Sequence, residues 1–179
     1  LHDRFAFNNS SFLWAALCEH WPWGLGRAAA GVEILFFFSL ARAVPACVRV
    51  ARLSAVRTRD IFDAFSLVPL LVVIMEDFRY DGPLSPDLLL FPLGLVVVSE
   101  LLGYLADPSP ARAFAVLLLS ACGVAVKLSF AGAALGAWAV VLAAGRHRRA
   151  TWIWAAVVVV AVGGVWCLRS VMLSGWPVY

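Results

Sequence analysis

The chain has 179 residues, of which 63% are hydrophobic and only 14% are charged. A soluble domain carries about a quarter charged residues, so this composition excludes a soluble enzyme, a disordered region and a nucleic-acid-binding module. The net charge of +3 is too small for a basic groove that follows a nucleic-acid backbone. The four cysteines are far apart and form no Cys/His cluster, so we expect no bound metal at them.

Six apolar segments follow one another along the chain, and each is long enough to cross or nearly cross a bilayer core about 30 Å thick. We therefore expect an all-α fold, a polytopic transmembrane helix bundle of about six spans. The bundle occupies residues 28–168, with spans near 28–48, 60–76, 87–106, 112–126, 129–145 and 150–168. Residues 1–27 and 169–179 are expected to be extracytoplasmic or interfacial, and the sequence is expected to be a fragment of a longer chain.

The arginines predict the orientation of the bundle. The two densest arginine clusters, at 49–59 and 146–149, should be cytoplasmic by the positive-inside rule. Both clusters can lie inside only if residues 113–145 form two short helices with a tight outer turn at Lys127, rather than one long helix. Residues 1–27, 77–87, 127–129 and 169–179 then share the outer face, so any chemistry should be extracytoplasmic.

Three features inside the spans predict contacts between helices. Gly132 and Gly136 form a small-xxx-small pair that suits close helix contact. Glu33 and Glu100 are carboxylates within apolar spans, where a charge is costly, so we expect both to pack towards other helices.

The predicted outer face carries three candidate motifs, each with a purely structural alternative. LHDRFAFNNSSF at residues 1–12 places His2, Asp3, Asn8 and Asn9 among aromatic rings, which suits contact with a sugar or a lipid phosphate. The alternative is an aromatic belt at the membrane interface, which composition alone favours. SPD at 85–87 adds Asp87 to the outer carboxylates Glu76, Asp77 and Asp81, and a pair of these could bind a divalent cation or act as a base. The alternative is that Ser-Pro-acid only starts a helix, for which it is a typical pattern.

Lys127 is the chain's single lysine and lies between two apolar segments. At an outer turn its ammonium could hold a phosphate as a point charge. Alternatively, the side chain reaches back to the interface with no functional role.

Four segments in this order resemble a family of bacterial multispanning membrane proteins: LHDRFAFNNSSF, SPDLLLFPLGLV, VAVKLSF and RSVMLSGWPVY. The family belongs to the GT-C glycosyltransferase superfamily, near the dolichyl-phosphate-mannose protein mannosyltransferase-like group. The resemblance implies a GT-C-like fold in the bacterial inner membrane. It also implies transfer of a sugar from a polyprenyl-phosphate donor to an extracytoplasmic acceptor.

The resemblance further implies roles for particular residues. Asp87 would line the active cavity, and Lys127 and Arg4 would contact the donor phosphate. The general base of such enzymes is an acidic residue in the first outer loop, which would lie upstream of Leu1. We therefore expect residues 1–179 alone to be inactive. The expected partners are membrane lipids and a polyprenyl-phosphate-linked sugar, with no nucleic acid and no assigned metal.

Two other classes of protein remain as alternatives. A transporter or lipid flippase would show polar groups in mid-membrane and broken helices. A non-catalytic subunit of cell-surface polysaccharide assembly is compatible with the same composition. An acidic outer-loop motif upstream of Leu1 would favour the enzyme.

Overall fold

The computed structural model describes residues 30–53, 55–77, 86–145 and 149–174, and within these ranges every regular element is helical. The fold class is therefore all-α, as the composition predicts. The helices are α1 (Ala30–Ala51), α2 (Thr58–Phe65), α3 (Leu67–Asp77), α4 (Pro86–Ala106), α5 (Pro110–Val126), α6 (Ala131–Ala144), α7 (Arg149–Val158) and α8 (Gly164–Ser174). A 3₁₀ turn at Leu128–Phe130 joins α5 to α6, and a π turn at Val159–Gly163 joins α7 to α8.

Local sequence explains where the α4–α5–α6 segment turns. Ser109 caps α5, since its hydroxyl accepts a hydrogen bond from the Arg112 N–H at 3.3 Å, and Pro110 follows at the first helical position. Lys127 ends α5 in an extended conformation, with φ −152° and ψ 125°. The predicted break at Lys127 is thus confirmed.

The helices alternate in direction between two ends of the bundle. At one end, which we call the arginine end, the chain turns between α1 and α2 and between α4 and α5. At the other, which we call the lysine end, α5 stops at Lys127. Side-chain contacts fix this arrangement, because Arg49 meets Asp60 across the first turn and the Trp138 indole of α6 meets Ser120 of α5.

The apolar core lies among α4, α5, α6 and α7. Its largest fully buried side chain is Tyr104, whose hydroxyl donates a hydrogen bond to the Val141 carbonyl at 3.3 Å. Leu117 of α5 and Val158 of α7 are also fully buried in this core. This core fixes α4, which also carries part of the charged cluster described below.

In the turn between α5 and α6, the aromatic ring of Phe130 packs directly against Gly123. A Cβ atom added at Gly123 would lie 2.4 Å from the Phe130 ring, so only glycine leaves room for it. By contrast, a Cβ at Gly132 or Gly136 would meet no atom within 4 Å. The close contact expected at these two glycines is therefore not made within the described residues.

The outside of the bundle is apolar. Phe37, Phe65, Leu135 and Val160 are each at least 65% exposed, whereas the charged residues Asp60 and Asp63 are buried. Among the described residues, three helical stretches are long and apolar enough to cross a membrane: Ile34–Ala51, Leu89–Ala106 and Arg149–Leu168. Two shorter apolar helices, Pro110–Val126 and Leu128–Ala144, pack beside them. A bilayer accepts such an exterior, because lipid tails are as apolar as these side chains.

Candidate functional site

A cluster of four charged side chains lies between α1, α2 and α4. It consists of Arg42 on α1, Arg59 and Asp63 on α2, and Glu100 on α4, and we call it the charged cluster. Arg42 precedes the end of α1 by nine positions, or roughly 13 Å at 1.5 Å per residue. Glu100 precedes the end of α4 by six positions, or roughly 9 Å. The cluster therefore lies between the arginine end and the middle of the bundle.

Glu100 binds both arginines of the cluster. Its Oε1 atom accepts a hydrogen bond from Arg42 Nη1 at 2.6 Å and another from Arg59 Nη2 at 2.9 Å. Asp63 faces the same two guanidinium groups, at 3.7 Å from Arg42 Nη2 and 3.6 Å from Arg59 Nε. Two positive and two negative side chains thus neutralise one another.

Ser99 connects the members of the cluster. Its hydroxyl donates to Asp63 Oδ1 and accepts from Arg42 Nη2 and, at 3.2 Å, from Arg59 Nε. Ser99 itself is almost completely buried. No buried side-chain nitrogen or oxygen in the described part of the chain lacks a hydrogen-bond partner. This full pairing is what allows charges to persist inside an apolar bundle.

A small residue lets α2 approach α4 at this point. Gly103 lies one helical turn after Ser99, and a Cβ atom placed there would be 2.8 Å from Arg59 Nη1. The Arg59 side chain therefore lies directly on the glycine surface, which steers its guanidinium to Ser99 and Glu100.

A cavity of about 530 Å³ opens beside the charged cluster at the arginine end. We call it the arginine pocket; its charged lining is Arg42, Arg49, Arg57, Arg59, Asp60 and Asp63. Asp60 is held in this wall by two residues, because its Oδ1 accepts from Arg49 Nη2 at 2.5 Å and its Oδ2 accepts from the Arg57 backbone N–H at 3.0 Å. Arg49, Ala55 and Arg57 of the lining are exposed, so the pocket is open at the predicted cytoplasmic surface.

The residues predicted to form an outer site are described only in part. Lys127 is partly buried and lies at the lysine end. The backbone of residue 87 lies at the same end, because α4 begins there and runs antiparallel to α5. His2, Asp3, Arg4, Asn8 and Asn9 lie outside the described residues, as does the side chain of Asp87.

The roles predicted for these residues remain predictions. The possible divalent cation also remains a prediction. The described part of the chain holds no group of three or more His, Cys, Asp or Glu side chains suited to a metal.

The charged cluster was missed by sequence reasoning, which assigned chemistry to the opposite end. The packing towards other helices that the sequence predicts for Glu33 and Glu100 is confirmed for Glu100, whereas the side chain of Glu33 lies outside the described residues. The available signal was the presence of Arg42 and Glu100 within apolar spans, since an ionised side chain there normally has a partner. Nothing in the spacing shows that Arg42 and Glu100 pair with each other, because they are separated by 58 positions.

An apolar exterior, helices of membrane-crossing length and paired internal charges define an integral membrane protein with a helical bundle. Within that class, the chain belongs to the family described as "Domain of unknown function (DUF8201)", whose model matches residues 1–179. No curated protein and no solved structure matches the chain.

Proposed function

We propose that this chain is the membrane part of a bacterial inner-membrane glycosyltransferase of GT-C type. In this proposal the whole, multi-pass protein moves a sugar from a polyprenyl-phosphate donor to an extracytoplasmic acceptor, and the donor phosphate binds at the lysine end. The observation that carries the proposal is the turn at Lys127, which puts the chain's single lysine at the end of the bundle where α4 begins.

The chemistry follows from a cation near a departing phosphate. A lysine ammonium is a compact point charge that stabilises negative charge on a phosphate oxygen. Such preorganised stabilisation acts most strongly where charge develops during bond cleavage. Lys127 is partly buried between two apolar helices, so its charge is less screened there than it would be in water.

Lys127→Ala, made in the whole protein, tests this role. We expect donor use to fall about 10²-fold, the size seen when one preorganised donor is removed from an active site. Lys127→Arg should restore activity only partly, because the guanidinium is larger and planar. Ser129→Ala, an exposed position in the same turn, is the matched control and should keep its activity. Normal activity of Lys127→Ala at normal abundance would contradict the phosphate role.

A second candidate function is transport or flipping of a lipid-linked substrate. The charged cluster favours it, since paired charges within the bundle and interrupted helices are typical of transporters. The two functions differ in what happens to the donor in proteoliposomes. A transferase consumes the labelled polyprenyl-phosphate sugar when acceptor is present, whereas a flippase exchanges it between leaflets unchanged.

A further inference from the structure

The arginine pocket has an excess of positive charge. Four arginines and two aspartates in its lining leave a net charge of +2. Arg42, Arg59 and Asp63 belong both to this lining and to the charged cluster, and adding the fourth cluster member, Glu100, leaves an excess of +1. An anionic ligand therefore suits the pocket better than a cation or a neutral sugar does.

The pocket also has more hydrogen-bond donors than acceptors. Each guanidinium carries five N–H donors, so the four arginines supply roughly twenty. Within the described residues, their hydrogen bonds to Ser99, Glu100 and Asp60 number six. A phosphate group is rich in acceptors and matches the planar fork of arginine, so it fits this surplus.

Three of the four guanidinium groups are held in place before any ligand arrives. Arg42 and Arg59 are fixed by Glu100 and Ser99, and Arg49 is fixed by Asp60. An anion that binds here pays little for ordering these side chains. The Arg49 side chain is still 44% exposed, so a ligand can reach it from outside.

The position of the pocket indicates where the phosphate comes from. Leu53 lies in the connection that leads to the pocket, and its apolar side chain is 85% exposed. It adopts a left-handed backbone conformation with φ 51°, and Ala55 on the pocket wall does the same with φ 47°. An exposed leucine beside arginines is typical of a segment at the boundary between lipid headgroups and acyl chains.

We propose that the arginine pocket binds the phosphate of an anionic phospholipid headgroup at the predicted cytoplasmic surface. Basic pockets between helices on this side of a membrane take such headgroups, because anionic lipids are enriched there. The site is separate from the proposed donor site, which lies at the lysine end, and either can fail without the other.

Binding of short-chain phosphatidylglycerol to the chain in neutral detergent micelles tests the proposal. The test variant is Arg57→Gln, which removes one charge from the pocket wall and keeps the backbone N–H that binds Asp60. We expect the apparent affinity to fall about tenfold, which corresponds to about 1.4 kcal/mol. Arg52→Gln removes the same charge from an exposed position in the same connection but outside the pocket lining, and should change affinity less than twofold.

Two further arms make the result decisive. Arg57→Lys keeps the charge but not the planar fork of donors, so its affinity should lie between those of the parent and Arg57→Gln. Arg57→Ala repeats the removal of the charge if Arg57→Gln fails to fold. Phosphatidylcholine and inorganic phosphate are titrated in parallel. Phosphatidylglycerol binding that depends on Arg57 and is absent with both other ligands supports the proposal. Equal losses in the Arg52 and Arg57 variants, or binding of inorganic phosphate as tight as that of the lipid, would overturn the headgroup assignment.

Discussion

Glu100→Gln is the sharpest test of what the charged cluster contributes to stability. The substitution keeps the shape of the side chain and removes its charge, while Arg42 and Arg59 remain. Asp63 is then the one carboxylate left in the cluster to balance the two guanidinium groups. The net charge of the cluster changes from zero to +1 inside an apolar bundle, so the folded state should lose stability.

The size of this loss can be estimated from burial. Removing one partner of a fully buried ion pair costs about 3–5 kcal/mol. The Glu100 side chain is 18% exposed, which places the expected loss near the lower limit, at about 3 kcal/mol. For a chain of this length, each kcal/mol shifts the unfolding midpoint by about 2–4 °C, so we expect a decrease of about 6–12 °C.

The assay is loss of helical circular dichroism on heating or on titration with a denaturing detergent, from neutral micelles. Asp107→Asn is the matched control, because Asp107 pairs with Arg112 at 3.0 Å but is 73% exposed. Exposed pairs contribute about 0–1 kcal/mol, so this variant should unfold almost as the parent does.

A second arm removes both charges of one pair. The double variant Arg59→Met with Glu100→Leu keeps the cluster neutral and should regain part of the lost stability. If Glu100→Gln loses no more stability than Asp107→Asn, the cluster does not hold the three helices together as we argue.

Two predictions concern the α5–α6 hairpin and use the same unfolding assay. Gly123→Ala should destabilise the bundle by about 1–3 kcal/mol, because its Cβ would clash with the Phe130 ring. Gly136→Ala is the control and should be tolerated, because a Cβ there meets no atom within 4 Å. Equal effects of the two variants would contradict the packing of Phe130 on Gly123. Ser120→Ala should cost about 1–3 kcal/mol, because it leaves the indole N–H of Trp138, now 2.9 Å from the hydroxyl, without its acceptor. An unchanged midpoint for Ser120→Ala would show that this bond contributes nothing.

The helical fold and its main turns could be predicted because their signals are local. Ser109 and Pro110 mark the start of α5 by their own chemistry, and a lysine between two apolar runs marks its end. The break between α2 and α3 at Ser66 was not predicted, nor was the π turn within the last span. A local signal for the first was present in Pro69, three positions after Ser66, because proline has no backbone N–H to donate to the Phe65 carbonyl. The second lies in a valine-rich run that is compatible with a regular helix.

The candidate site was harder to predict because it depends on which helix faces meet. Arg42 and Glu100 are separated by 58 positions, and their pairing needs α1 and α4 to run side by side in the same direction. The exposed Gly132 and Gly136 illustrate the same problem, since a small-residue pattern does not specify which neighbour it faces. Local patterns thus predict helices, whereas the contacts between helices require the three-dimensional fold.

The pairing of charges across three helices also constrains how the protein enters its membrane. α2 contains Arg59, Asp60 and Asp63 within eight residues, and each such side chain costs about 2.5–3.5 kcal/mol at the centre of a lone transmembrane helix. The segment formed by α2 and α3 is therefore a poor candidate for insertion by itself. Its charges gain their last partners only when Ser99 and Glu100 have been synthesised, about forty residues later in the chain. We expect α2 to remain at the membrane interface or beside the insertion machinery until α4 has been synthesised. The helices then enter the membrane in a different order from the one in which they are synthesised.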